Sequence, residues 1–101
     1  MPTLLIDGKW RAASDGQTID VINPCDAKVF TTIDRGTAAD IDAAVRSAQS
    51  ALDGAWGRMT ATERGRVLMK FADLIVKHAD EIAQIEARDT GKPMTVARND
   101  I

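Results

Sequence analysis

Near residue 37 the amino-acid sequence changes its period, and that change fixes the kind of layout the chain can take. Before it, short apolar-bearing runs alternate with turn residues; after it, apolar residues recur at the spacing of a helix face. Side chains repeat every second residue along a strand but about every 3.6 residues along a helix, so one stretch cannot satisfy both. The chain is therefore expected to be an α+β segment. Residues 1–36 read as β-rich, with an N-terminal hairpin and short strands, and residues 37–101 as helical, with two to three helices. Its 101 residues allow a single small unit.

Within the β-rich part, Thr3-Leu4-Leu5-Ile6-Asp7-Gly8-Lys9-Trp10-Arg11 places Asp-Gly between two strand-like runs. That dipeptide accepts the positive φ angles of a type I′ hairpin turn. A looser turn is expected at Ser14-Asp15-Gly16, then a strand over Thr18–Ile22 stopped by Asn23-Pro24, since proline cannot donate to a strand ladder. A third strand, Lys28 to Asp34, alternates and ends at Arg35-Gly36.

In the helical part, Thr37 can accept orphan amides and Asp40 suits the positive end of a helix. The first apolar stripe is Ile41, Ala44, Val45, Ala48 and Leu52, and Gly54 and Gly57 are expected to break the helix. Thr60-Ala61-Thr62-Glu63 is a capping box. Val67, Leu68, Phe71, Leu74 and Ile75 follow as a second stripe, then Ile82 and Ile85 after a break at His78-Ala79-Asp80. Gly91 should end that helix, and Pro93 can be the first residue of another from Met94 onward. The pattern breaks off at Ile101 inside a starting helix, so the chain reads as part of a longer text.

Composition removes several function classes. Thirteen basic against fifteen acidic residues, and four aromatics with no tyrosine, argue against a nucleic-acid partner. No apolar run reaches the length of a membrane span, and no basic region precedes Leu4 as in a signal peptide. Cys25 is the only cysteine, so no intrachain disulfide can form, and a reducing cytoplasm is expected.

Most local chemistry can be set aside on residue types. One cysteine and one histidine cannot furnish a zinc site. Cys25 has no local base, and His78 sits at a helix break where an exposed imidazole needs no role. Thr90-Gly91-Lys92-Pro93 fails as a phosphate loop, with Glu86 where the first glycine belongs and Pro93 where the hydroxyl belongs. Arg58, Arg64, Arg66 and Lys70 read as a solvated face. Asp89 is different. An acid in the last turn of a helix opposes the dipole by roughly 0.3–1 kcal/mol. Either Arg88, Lys92 or water offsets this, or the carboxylate faces a bound cation.

Taken in order, these pieces resemble the amino-terminal segment of the aldehyde dehydrogenase superfamily. The matching stretches are Ile6-Asp7-Gly8-Lys9-Trp10, Ile22-Asn23-Pro24 and Lys28–Ile33, then Ala39–Val45, Trp56 and Glu63-Arg64. Ala72–Ile75 and Asp80–Ala83 continue the series, and Glu86-Ala87-Arg88-Asp89-Thr90-Gly91-Lys92-Pro93 is the most specific. They cover essentially the whole chain.

The resemblance implies a large α/β enzyme, a homo-oligomer, that oxidises a small aldehyde to a carboxylic acid with NAD or NADP. Members attack the aldehyde with a cysteine thiolate, pass hydride to the nicotinamide and release the acyl enzyme through a glutamate-activated water. Those residues lie beyond position 101 in the family's order, and Cys25 does not match the nucleophile's motif. No catalytic or cofactor-binding residue is therefore carried over, and the 101-residue chain alone is expected to be inactive and to bind no cofactor. A free-standing, non-catalytic α+β interaction module derived from the fold is the alternative. One site is carried over in part: a structural monovalent cation, potassium-sized, held by the carbonyls of Val21 and Ile22 and by Asp89. Val21 stands where relatives often have threonine, which a carbonyl ligand tolerates.

Overall fold

A computed structural model describes residues 1–101. The strands are β1 (Leu4–Ile6), β2 (Lys9–Arg11), β3 (Thr18–Asn23) and β4 (Lys28–Asp34). The helices are α1 (Ala38–Asp53), α2 (Ala55–Arg58), α3 (Ala61–Lys77), α4 (Ala79–Thr90) and α5 (Met94–Asn99). Two separate two-stranded sheets form, β1 with β2 and β3 with β4. The chain divides into two compact units, Met1–Asp20 with Thr31–Met59 and Val21–Phe30 with Thr60–Ile101. Neither coincides with the division into β-rich and helical halves.

In the first unit, β1 and β2 pair antiparallel, Leu4 opposite Arg11 and Ile6 opposite Lys9. Asp7 at φ 54° and Gly8 at φ 68° make the turn, the double positive φ that a type I′ turn demands. The Gly16 amide donates to the Ala13 carbonyl at 2.9 Å, closing the looser turn. Thr37 caps α1 through a reciprocal box with Asp40. Gly54 ends α1, but Gly57 does not break anything: it lies within the single turn of α2. Its role is steric, because a Cβ there would overlap the Leu52 carbonyl.

In the second unit, α3 opens on the reciprocal capping box of Thr60 and Glu63. It stops at His78, whose amide donates to the Leu74 and Ile75 carbonyls, both at 3.1 Å. The chain re-enters a helix immediately, so the break is one residue wide. Gly91 ends α4 in the left-handed conformation at φ 74°. Pro93 stands one position before α5 rather than as its first residue, in extended geometry at ψ 145°. Three longer helices and two short ones result, the short α2 and α5 lying where glycine and proline leave room for only one or two turns.

The core is small. Ile6, Ala13, Ala83 and Ala97 are the buried apolar residues. α4 and α5 pack closely, and each buries one alanine. By contrast the α3 stripe is open: Leu68 is 58%, Phe71 60% and Leu74 53% exposed. Ile41, Val45 and Leu52 of α1 are likewise exposed. Covering such side chains stabilises a protein by about 1.5–3 kcal/mol each, so these faces are amphipathic surfaces without their cover.

Candidate functional site

Val21, Ile22 and Asp89 fall in the same compact unit. Val21 and Ile22 are near the end of β3, where Asn23 turns the chain. The Asn23 side-chain oxygen accepts from the Cys25 amide at 2.9 Å, and its carbonyl accepts from the Ala27 amide at 2.9 Å. Ala27 takes a positive φ of 56°, and the Asp26 carboxylate accepts from the Lys28 amide at 3.1 Å to start β4.

Asp89 lies in the last turn of α4, exposed. The Gly91 amide donates to the Ala87 carbonyl at 2.9 Å, and the Thr90 hydroxyl donates to the Glu86 carbonyl at 2.7 Å. The first uses a carbonyl that the helix end would otherwise leave free, and the second ties the Thr90 side chain back onto its own helix. Beyond this end the chain meets the β3–β4 turn: the Cβ position of Gly91 lies 2.8 Å from Cγ of Pro24. The segment carrying Asp89 and the segment carrying Val21 and Ile22 are thus brought together.

The charges around Asp89 leave it without a cationic partner. The Lys92 ammonium donates to Asp100 at 2.7 Å and to Glu86 at 2.8 Å. Those two bonds, Asp100 first, hold its pKa well above the ordinary lysine value. Arg98 pairs with Asp80, and Arg88 with nothing. Of the two side chains that could have offset the acid, one is committed elsewhere and the other is unpaired. A carboxylate added to the negative end of a helix dipole makes a region that favours a cation. The three expected donors, two carbonyls and a carboxylate, are all oxygens, the type that suits a hard monovalent ion. No three His, Cys, Asp or Glu side chains gather anywhere, which excludes a site made of side chains alone.

The residues set aside in the sequence do not assemble into a reacting pair. His78 Nδ1 lies 3.3 Å from Glu81, and Cys25 is exposed beside Gly91. Arg58 donates to the Asp53 carbonyl at 3.2 Å in the first unit, whereas Arg64, Arg66 and Lys70 belong to the second.

Sequence reasoning gave a second carboxylate, Asp40, no more than a place at the positive end of α1. Asp40 is 2% exposed and gathers four donors: the Thr37 amide and hydroxyl, both at 2.9 Å, and the Ser14 amide and hydroxyl at 3.1 and 3.2 Å. The Thr37 amide, then the Ser14 amide, hold its pKa down at about 2. All four donors reach Oδ2; Oδ1 has no hydrogen bond, and Arg11 Nη2 stands 3.7 Å from it. The visible signal was Thr37-x-x-Asp40 as a capping pair; the reach to Ser14 was not visible. A groove of about 650 Å³ runs between the β1–β2 hairpin and α1, lined in part by Asp7, Arg11, Asp42 and Arg46. Arg46 is already paired with Asp42, so the groove is a structural seam rather than an anion site.

Residues 10–101 match the model of the aldehyde dehydrogenase family. The chain is 41% identical over 98 residues to an aldehyde dehydrogenase of Aspergillus niger, covering 97% of this chain and 20% of that protein. It is 43% identical over 93 residues to the human mitochondrial 10-formyltetrahydrofolate dehydrogenase, covering 91% of this chain and 10% of that one. Among solved structures, the NAD+ complex of an aldehyde dehydrogenase from Bacillus cereus superposes with a TM-score of 0.92 at 42% identity. That match covers 95% of this chain and 20% of the other. The chain therefore spans about a fifth of the length of most of these relatives.

Proposed function

The chain belongs to the aldehyde dehydrogenase family, and we propose that it forms the amino-terminal part of an enzyme oxidising an aldehyde to a carboxylic acid with NAD or NADP. One observation carries this reading. The helices keep the family's geometry while the apolar faces of α1 and α3 stay open, as expected of a part whose cover lies in the remaining four-fifths of the fold. In this reading the chain supplies no nucleophile, acid–base group or nucleotide contact; it builds one flank of the enzyme and one part of a cation site.

Val21 and Ile22 through their carbonyls, and Asp89 through its carboxylate, hold a potassium-sized ion whose chemistry is structural. The reading is supported by the unpartnered acid at the α4 terminus and by the close approach of Gly91 to Pro24. The intact enzyme is a cytoplasmic homo-oligomer acting on a small aldehyde. A lone, exposed cysteine suits a reducing compartment, and no helix is long and apolar enough to cross a membrane.

The test has two arms. The polypeptide isolated from its own cell should have a mass several times the 10.9 kDa of these residues. The 101-residue chain alone should bind a dye for exposed apolar surface and give no aldehyde-dependent NAD reduction. A 10.9 kDa species that melts cooperatively without binding dye would overturn this reading in favour of a free-standing interaction module.

A further inference from the structure

Gly91 is the tightest glycine of the second unit. A Cβ built on it would lie 2.8 Å from Cγ and 3.6 Å from Cβ of Pro24, with Cys25 Sγ at 3.8 Å. Packed carbon atoms do not approach to that distance, so no side chain fits unless the turn moves. Its left-handed φ of 74° does not account for this crowding. Gly8 and Gly16 share the left-handed φ, and nothing lies within 4 Å of their Cβ positions. The contact is therefore specific to the place where α4 ends against the β3–β4 turn.

Pro24 follows Ile22 by two residues, and Gly91 follows Asp89 by two. The ring of Pro24 has a fixed φ, and the Asn23 side chain braces the turn through the Cys25 amide at 2.9 Å. Two stiff pieces of backbone thus abut just beyond the three proposed oxygen donors. Resting on the cation reading above, we infer that Gly91 and Pro24 are positioning residues for a monovalent cation. Their contact sets the separation between the Asp89 carboxylate and the Val21 and Ile22 carbonyls. Neither touches the ion. A carbonyl cage that replaces a hydration shell is sensitive to that separation, so displacing the turn weakens binding while leaving every ligand in place.

The experiment follows melting of the full-length protein as potassium chloride replaces choline chloride at constant ionic strength, and reads the half-effective potassium concentration. Gly91→Asn tolerates the left-handed φ and still directs a Cβ at the Pro24 ring. It should raise that concentration about tenfold through the population linkage of ligand and fold. Pro24→Ala should raise it about threefold by removing the abutment, and combining the two should return it to within about threefold of the parent. An unchanged value in Gly91→Asn, or a loss that Pro24→Ala does not relieve, overturns the inference. Should Gly91→Asn not fold, Pro24→Ala alone decides, and an unchanged value there overturns it. Asp89→Ala should abolish the potassium response. A parent protein without that response, or an Asp89→Ala protein that keeps it, overturns the cation reading itself, whatever Gly91 and Pro24 do.

Discussion

Thr3 and Asp34 hydrogen-bond to each other in both directions. The Thr3 amide and hydroxyl donate to Asp34 Oδ2 at 2.6 and 2.9 Å, and the Asp34 amide returns a bond to the Thr3 hydroxyl at 2.6 Å. The other carboxylate oxygen accepts from the Ala13 amide at 3.0 Å. One side chain at the end of β4 thereby ties both ends of the β1–β2 hairpin. A two-stranded hairpin is marginal in water by itself, so Asp34→Ala should release this one. Hydrogen exchange at the amides of the Leu4 and Arg11 pair should quicken by about tenfold or more while α1 amides keep their protection. Equal quickening in both places would show general unfolding instead.

Acid should find the same carboxylates. Asp34, Asp40 and Glu63 all ionise below the usual range, Asp40 at about 2. The largest cause is in each case a backbone amide donating to the charged form: from Ala13, Thr37 and Thr60 respectively. A depressed folded-state pKa contributes stability that is complete above the unfolded value near 3.8 and is lost as pH falls through the folded one. Melting temperature should therefore be level above about pH 5 and fall between about pH 4 and 2. Asp40→Asn should flatten part of that slope.

Two glycines in helices should respond to alanine with opposite sign. At Gly65, inside α3, nothing lies within 4 Å of the Cβ position. Gly65→Ala should stabilise by about 0.5–1 kcal/mol through helix propensity. At Gly57 the added methyl meets the Leu52 carbonyl, and Gly57→Ala should destabilise by about 1–3 kcal/mol or shift the end of α1. Denaturant midpoints of the two variants decide it.

Thr60 accepts from the Glu63 amide at 3.2 Å, and its own amide donates to Glu63 at 2.7 Å. Thr60→Ala should cost about 1 kcal/mol, and Thr60→Ser well under half of that. Circular dichroism against temperature gives both values.

The legible parts of the fold were those decided within a few residues. The Asp7-Gly8 turn, the Asn23-Pro24 stop, both threonine caps and the Gly91 terminus all act over short spans. Gly57 was misread as a breaker because its reason is a carbonyl five residues back, not its own flexibility. Asp40 and Asp34 were illegible as ties because their partners, Ser14 and Thr3, lie 26 and 31 residues away. At the candidate site, Asp89 stood out locally as an acid at the wrong end of a helix. Val21 and Ile22 came only from family resemblance, and the approach of Gly91 to Pro24 joins residues that no local pattern connects.

Each capping box closes over three residues, Thr37 with Asp40 and Thr60 with Glu63, and although Ser14 reinforces the first, the reciprocal bonds of both lie within the box itself. The starts of α1 and α3 are consequently specified before anything covers their apolar faces. On a ribosome this gives an order in time: helices whose beginnings are already set, then a waiting interval in which Leu68, Phe71 and Leu74 are open to any sticky neighbour. Early shape and exposed apolar faces make this segment ready to dock, and also prone to stick to the wrong neighbour while it waits.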